Sequence, residues 1–185
     1  MKRFLCLSLV ALAACSDPEH DTQVDALGPE PSSPGPGPTH RPGQPCLTCH
    51  GGDGPAKAQF AVAGTIFQTA DRGASPLSGG NVILYDSTTD NTDDQTPHTS
   101  GTNAAGNFYF DAASWSPIFP LHDITLDYPG ISPPRPKMHT RVGRDGSCAT
   151  CHFDPPDPSA LAAPNTPGHV YLVLEAGDLP GGGSM

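Results

Sequence analysis

The sequence predicts a mainly β protein, built as a single β-sandwich of about seven strands. Three observations lead to this prediction. The chain of 185 residues is poor in apolar residues (36%), it is rich in Pro (23) and Gly (21), and short apolar runs punctuated by turn residues follow residue 60. Pro and Gly interrupt helices, and few windows of helical length after residue 40 escape them. A chain of this length has room for one ordinary domain with an appendage.

Each predicted strand is a short run of apolar residues, mostly alternating, that is bounded by turn residues. The runs are FAVAGTIF (60–67), GNVILYD (80–86), GNFYFD (106–111), DITLDYP (123–129), KMHTRV (137–142) and HVYLVLE (169–175), with HTSGTN (98–103) as a weaker seventh candidate. In the third run, Phe108 and Phe110 share one face. Short strands at this spacing favour a sandwich, whose loops cluster at its two ends.

The N-terminus indicates export followed by lipid attachment. Lys2 and Arg3 precede the apolar run FLCLSLVALAA (4–14), which suits a signal peptide and is too short to span a bilayer. The LAAC that ends this region resembles the lipobox of bacterial lipoproteins, which implies cleavage before Cys15 and lipidation of that cysteine. The alternative is an ordinary signal peptide. We therefore expect a lipid-anchored chain in the bacterial cell envelope, at the outer membrane, on its periplasmic or surface face.

Two five-residue motifs, CLTCH (46–50) and CATCH (148–152), contain every cysteine other than Cys6 of the signal and Cys15. In an exported, oxidising compartment such thiols are bridged, bound to a metal or alkylated by a cofactor. The alternatives are a zinc site built from two CxxC pairs, a redox disulfide and covalently attached haem. A thioredoxin-like redox site needs a βαβ context, which this sequence lacks.

The histidine that follows each motif favours haem over zinc. A zinc ribbon does not require His50 or His152, whereas in c-type haem two cysteines form thioethers with the vinyl groups and the adjacent histidine ligates iron. In this respect the chain resembles the multihaem c-type cytochromes. The sequence thus predicts two covalently bound c-type haems, with proximal iron ligands at the two histidines. The predicted binding residues are Cys46, Cys49, His50, Cys148, Cys151 and His152.

The distal iron ligands are predicted from placement alone. His40 and His139 each precede a motif by a similar distance, and they are the candidates for these positions. Met138 is the rival of His139, because neighbouring residues on a strand point to opposite faces. His169 opens the last predicted strand and is a further candidate near the second haem. The remaining histidines are expected to be structural, solvated or inert: His20, His98 and His122.

The stretch VAGTIF…PLSGGNVILYD…TSGTNAAGNFYF, within residues 60–130, resembles the carboxypeptidase-regulatory-like or transthyretin-like β-sandwich, an Ig-like architecture. The chain departs from that family's pattern at Gly80, where the family usually has Ala, and in an insertion over 87–98. The resemblance implies a scaffold without chemistry of its own. The two CxxCH segments would then lie on its loops.

These observations divide the chain into six predicted segments. They are a signal peptide (1–14), a lipid-anchored disordered tether (15–39), a first haem-binding segment (40–59), the β-sandwich (60–147), a second haem-binding loop (148–168), and a final strand with a flexible tail (169–185).

The predicted function is electron transfer by a membrane-tethered dihaem cytochrome lipoprotein that is not an enzyme. No Ser-His-Asp order, nucleophile elbow or phosphate loop is present in the sequence. Two alternatives stay open, an exported binding or adhesion module with a structural zinc site and a dihaem redox enzyme. Cleavage of the signal peptide removes Lys2 and Arg3 from the nine basic residues. The remaining seven basic and 19 acidic residues give a formal net charge of −12. This charge disfavours nucleic acid and favours basic-surfaced redox proteins, such as other cytochromes, as partners.

Overall fold

The structure is a computed structural model that describes residues 17–87, 96–130, 136–154 and 166–172. Among these residues five strands outnumber three short helical segments, so the chain is mainly β as predicted. The elements are α1 (Pro18–Ala26), α2 (Leu47–His50), β1 (Phe60–Thr65), β2 (Asn81–Tyr85), β3 (His98–Gly101), β4 (Asn107–Asp111), β5 (His122–Asp127) and a 3₁₀ turn (Cys148–Thr150).

The strands form two antiparallel sheets. One sheet pairs β1 with β4, and the other has the order β3-β2-β5. In the first sheet Gly64 lies opposite Phe108. In the second, Val82 pairs with Ser100 on one side and with Leu126 on the other.

A single cluster of buried apolar side chains draws on both sheets. Alternation along β2 buries Val82 and Leu84, and alternation along β4 buries Phe108 and Phe110 while leaving Tyr109 exposed, as the period of a strand requires. The cluster is completed by Val62, Ile66, Leu77, Leu121, Leu126, Tyr128 and Leu172.

Two of the seven predicted strands are not seen as continuous strands among the described residues. KMHTRV (137–142) forms only isolated bridges, from Lys137 to Thr125 and from Val142 to Leu121, because the backbone bends between them and interrupts the ladder. The run HVYLVLE is described only as far as residue 172, and its remainder lies outside the described residues. The weak candidate HTSGTN does form a strand, β3, along the edge of β2.

Helix α1 lies within the segment predicted to be a disordered tether, and the prediction of disorder does not hold there. Asp17 caps the helix, since its carboxylate accepts hydrogen bonds from the backbone N–H groups of Glu19 (3.1 Å) and His20 (3.2 Å). Pro18 occupies the first turn, where a missing N–H costs nothing. No residue of α1 is buried. The helix touches α2 through His20, whose Nε2 lies 2.8 Å from the carbonyl oxygen of Thr48.

Candidate functional site

Each CxxCH motif forms one helical turn, where the sequence predicted loops. The N–H of His50 donates to the carbonyl of Cys46 at 2.9 Å, and the N–H of His152 donates to the carbonyl of Cys148 at the same distance. The second cysteine of each motif also donates to the first, at 3.2 Å for Cys49 and 3.3 Å for Cys151. A helical turn places residues three apart on one side. The two thiols of each motif therefore start from the same side of the turn, directly before the histidine.

The two motif histidines also share one side-chain arrangement. Nδ1 of His50 lies 2.8 Å from the carbonyl oxygen of Ala58, and Nδ1 of His152 lies 2.9 Å from that of Gly168. A carbonyl oxygen can only accept a hydrogen bond, so Nδ1 carries the proton and the lone pair of the neutral ring is on Nε2. Metal-ligating histidines are commonly held in this way by an oxygen partner. Both side chains therefore have the tautomer that ligates a metal through Nε2.

His40, a predicted distal ligand, lies beside His50. Their ring centroids are 5.7 Å apart, with an angle of 63° between the ring planes. Nδ1 of His40 is 3.1 Å from a carboxylate oxygen of Glu30, at ion-pair distance but without the geometry of a hydrogen bond. Two imidazoles bound on opposite sides of one ion, each at about 2.0 Å, have centroids roughly 6 Å apart. The structure thus brings the predicted distal ligand His40 beside the histidine of the motif that it precedes.

Arg41 holds the backbone on which His40 lies. Its guanidinium donates to the carbonyl oxygens of Leu27 (2.9 Å) and Gly28 (2.7 Å) and to Oε2 of Glu30 (2.9 Å). The hydrogen bond from Arg41, together with the charge of His40, lowers the pKa of Glu30 against a smaller opposing effect of desolvation. Arg41 itself has φ of 46°, in the left-handed region that a non-glycine residue rarely adopts. Sequence reasoning missed this residue, because nothing local marks an arginine that binds distant carbonyls.

A buried polar network ties the same segment to the first sheet. The side-chain amide of Asn107 donates to the carbonyl oxygen of His40 at 2.9 Å, and its oxygen accepts from the hydroxyl of Thr65 at 2.7 Å. That hydroxyl also accepts from the N–H of Gly43 at 2.8 Å. Asn107 and Thr65 are both buried. Because buried polar groups are costly unless satisfied, the network fixes the position of the His40 loop.

Stacked rings fix the plane of the first motif histidine. His50 stacks on Phe60, the first residue of β1, with centroids 4.4 Å apart and planes inclined by 16°. Phe60 in turn stacks on the exposed Tyr109, at 4.6 Å and 19°. The first sheet therefore supplies both the orientation of this ring and a continuous aromatic contact to the surface.

The second motif lies at the wall of a large apolar cleft. The cleft has a volume of about 1030 Å³ and is lined by core residues of both sheets, by residues 136–148, and by Cys151 and His152. Protein interiors contain few voids larger than a water molecule, whereas ligand sites typically measure about 300–1,000 Å³. The cleft therefore has the size and the apolar lining of a ligand site.

Met138 and His139, the rival candidates for the second distal ligand, both line this cleft. His139 is exposed and Met138 is half-buried. The prediction that only one of the two residues could reach a given iron assumed a strand, in which neighbouring side chains point to opposite faces. Residues 137–142 do not form a continuous strand, so this argument does not apply.

Strand β1 connects the approaches to the two motifs. The N–H of Ala63 donates to the carbonyl of Gly146 at 3.0 Å, just ahead of the second motif, while Thr65 holds Gly43 ahead of the first. Burial raises the pKa of the Cys46 thiol to about 11. Burial raises the pKa of the Cys148 thiol to about 12, and the second-largest cause of this rise is repulsion from the charge of Cys46.

The raised pKa values predict unequal alkylation in the chain before any cofactor is attached. The thiolate is the nucleophile, and at pH 8 a thiol with a pKa of about 12 is almost entirely protonated. We expect iodoacetamide to modify the exposed Cys151 at least ~100-fold faster than Cys148, as followed by peptide mass spectrometry. In urea the two rates should converge. Equal rates in the folded chain would contradict the raised pKa of the Cys148 thiol.

Gly64 lies where β1 meets the second motif. An added Cβ there would be 2.8 Å from Cβ of Cys148 and 3.0 Å from the ring of Phe108. Overpacking of this kind costs about 1–3 kcal/mol. We expect Gly64→Ala to lower the free energy of unfolding by this amount, measured by urea denaturation and circular dichroism. The matched control is Gly52→Ala, where Cβ meets nothing within 4 Å and the change should stay within about 0.5 kcal/mol. Equal losses in the two variants would argue against close packing at Gly64.

The remaining histidines are divided by their contacts. His98 stacks on Trp115, with centroids 4.0 Å apart, and both ring nitrogens of His122 face oxygen atoms, at 2.9 Å from Asp123 and 3.1 Å from the carbonyl of Asp86. These contacts agree with the structural role predicted for both. His20 differs from its prediction, since it contacts the backbone of the first motif.

Within residues 17–87, 96–130, 136–154 and 166–172, no three His, Cys, Asp or Glu side chains converge in a way that could hold a metal ion. No helix in these ranges is long and apolar enough to cross a membrane.

Comparison of the chain with protein-family models, with curated proteins and with solved structures finds no match. The interpretation of the two motifs therefore depends on their own residues and geometry.

Proposed function

We propose that this chain is an electron carrier, a dihaem c-type cytochrome that is tethered as a lipoprotein in the bacterial cell envelope. The observation that supports this proposal most strongly is the repeated geometry of the two motifs. In each, a helical turn carries two cysteines and a histidine whose Nδ1 is held by a backbone carbonyl. Two segments about a hundred residues apart share this arrangement, although their sequence surroundings differ.

The residues present fit covalent haem at both motifs. At the first, the imidazole rings of His50 and His40 have centroids 5.7 Å apart, about the centroid spacing of two imidazoles on one ion. At the second, His152 lies at the wall of an apolar cleft large enough for a porphyrin. A c-type haem, when bound, supplies a reversible one-electron centre.

The chain's own groups would hold, orient and shield these centres. Cys46 and Cys49 would anchor one haem and Cys148 and Cys151 the other, through thioether bonds. The carbonyl oxygens of Ala58 and Gly168 orient the proximal imidazoles through Nδ1–H. The apolar lining of the cleft keeps water from the second site, and such a lining tunes the potential of an enclosed redox centre.

The scaffold and its attachment complete the proposal. The two sheets with one shared core support an Ig-like, transthyretin-like sandwich as the frame of the two sites. Cys15 would carry the lipid, at the outer membrane and on its periplasmic or surface face. The acidic net charge would favour basic-surfaced redox partners, including other cytochromes.

Spectroelectrochemistry tests whether the protein is a carrier. We expect two reversible one-electron transitions and low-spin iron in both redox states, with no binding of carbon monoxide by the reduced protein. Carbon monoxide binding together with five-coordinate, high-spin iron would favour a dihaem redox enzyme instead. Purified protein that contains zinc and no haem would favour the binding-module alternative.

A further inference from the structure

His169 is the most deeply buried histidine whose position borders the large cleft. Only 4% of its surface is exposed, and it lines the cleft beside the second motif. Among the residues that the structure describes, its buried Nδ1 has no hydrogen-bond partner. A buried polar atom without a partner is rare in folded proteins and calls for an explanation such as an ion or ligand.

Two neighbours fix the ring of His169. Nε2 lies 2.9 Å from Oδ1 of Asp154, and the same carboxylate oxygen accepts from the N–H of Gly73 at 3.3 Å. The imidazole stacks on Phe67, with centroids 3.8 Å apart and planes inclined by 14°. Nε2 is the ring nitrogen beside the carboxylate, so Nδ1 is the ring nitrogen that is left for a ligand.

His169 is also adjacent to the group that orients the second motif. The carbonyl that holds Nδ1 of His152 belongs to Gly168, the residue directly before His169. One short backbone segment therefore positions both imidazoles at the cleft. By contrast, the side chain of His139 is exposed. Within the described part of the chain, no hydrogen-bond acceptor orients its ring.

We propose that His169 is the second iron ligand at the second motif, bound through the nitrogen that Asp154 does not hold. A carboxylate, a histidine and a metal in line are a common way to fix a ligand's tautomer and orientation. This assignment rests on the proposed function, and it replaces His139 and Met138 as distal candidates.

The test uses the full chain matured with two haems. For His169→Ala we expect two haems per chain but high-spin iron at one of them, by electron paramagnetic resonance, and added imidazole should restore the low-spin signal. His139→Ala and His98→Ala are the matched controls and should leave both irons low-spin. Low-spin iron at both haems in His169→Ala, at full haem content, would overturn the assignment, as would a high-spin iron in His139→Ala.

A second variant covers the case in which His169→Ala does not accumulate. Asp154 is largely exposed, so Asp154→Asn should fold. Loss of the carboxylate weakens electron donation by the imidazole, so the midpoint potential of one haem should rise while that of the other stays unchanged. Two unchanged potentials would overturn the assignment. An unsubstituted chain without haem would instead overturn the proposed function.

Discussion

Replacement of Cys148 and Cys151 by serine is expected to remove one of two haems and to lower the Tm of the protein by roughly 10 °C or more. The second motif borders a cleft of about 1030 Å³ that is lined by the core of both sheets. Loss of this haem would leave the apolar lining of the cleft in contact with water, and apolar surface in water costs about 25 cal/mol per Å². The folded chain would therefore lose stability at this site.

The measurement is differential scanning calorimetry on the variant and on its matched counterpart at the first motif. Cys46→Ser with Cys49→Ser also removes one haem, but helix α2 buries none of its residues. The loss of Tm at the first motif should be less than half of that at the second. Hydrogen exchange should increase over residues 136–148 in the variant that lacks Cys148 and Cys151, and should stay unchanged there in the variant that lacks Cys46 and Cys49. Equal losses of Tm in the two double variants would contradict the assignment of the cleft to the second haem.

Substitution of His40 by alanine is expected to convert one of two irons from low-spin to high-spin while both haems stay attached. His40 lies 5.7 Å from His50 between ring centroids, and it contributes no thioether. Its backbone carbonyl, which accepts from Asn107, is retained in the variant, so the loop keeps its place. About half of the iron should thus give a high-spin signal in electron paramagnetic resonance.

The control for this experiment is His98→Ala, since His98 stacks on Trp115 at 4.0 Å and lies in β3, away from both motifs. That variant should keep both irons low-spin. If His40→Ala also keeps both low-spin at full haem content, the pairing of His40 with His50 is wrong. Combination of His40→Ala with His169→Ala should make both irons high-spin, because the two substitutions act on different sites.

Local patterns predicted the strands well. Alternation in GNVILYD and GNFYFD gave β2 and β4 with the buried faces in the expected positions, because period-two burial is a property of the strand itself. The placement of His40 ahead of its motif also led to a residue that the structure sets beside His50. The start of α1 was missed, although Asp17 followed by Pro18 is a recognisable helix-capping signal.

The rest of the candidate site depends on contacts between distant segments, which one sequence does not reveal. Arg41 acts through carbonyls 13 and 14 residues away. His169 meets Asp154 and Phe67 only after the chain has folded. The cleft arises because residues 136–148 pass over the core without forming a full strand, and no local pattern encodes an enclosed volume.

A pyridine haemochrome assay on protein matured with a c-type haem attachment system tests the central claim most directly. The assay measures haem per chain and distinguishes thioether-bound haem from free haem by the position of the absorption band. The account predicts two covalently bound haems per chain, and one in each double cysteine variant. A chain that matures in this system without covalent haem would contradict it.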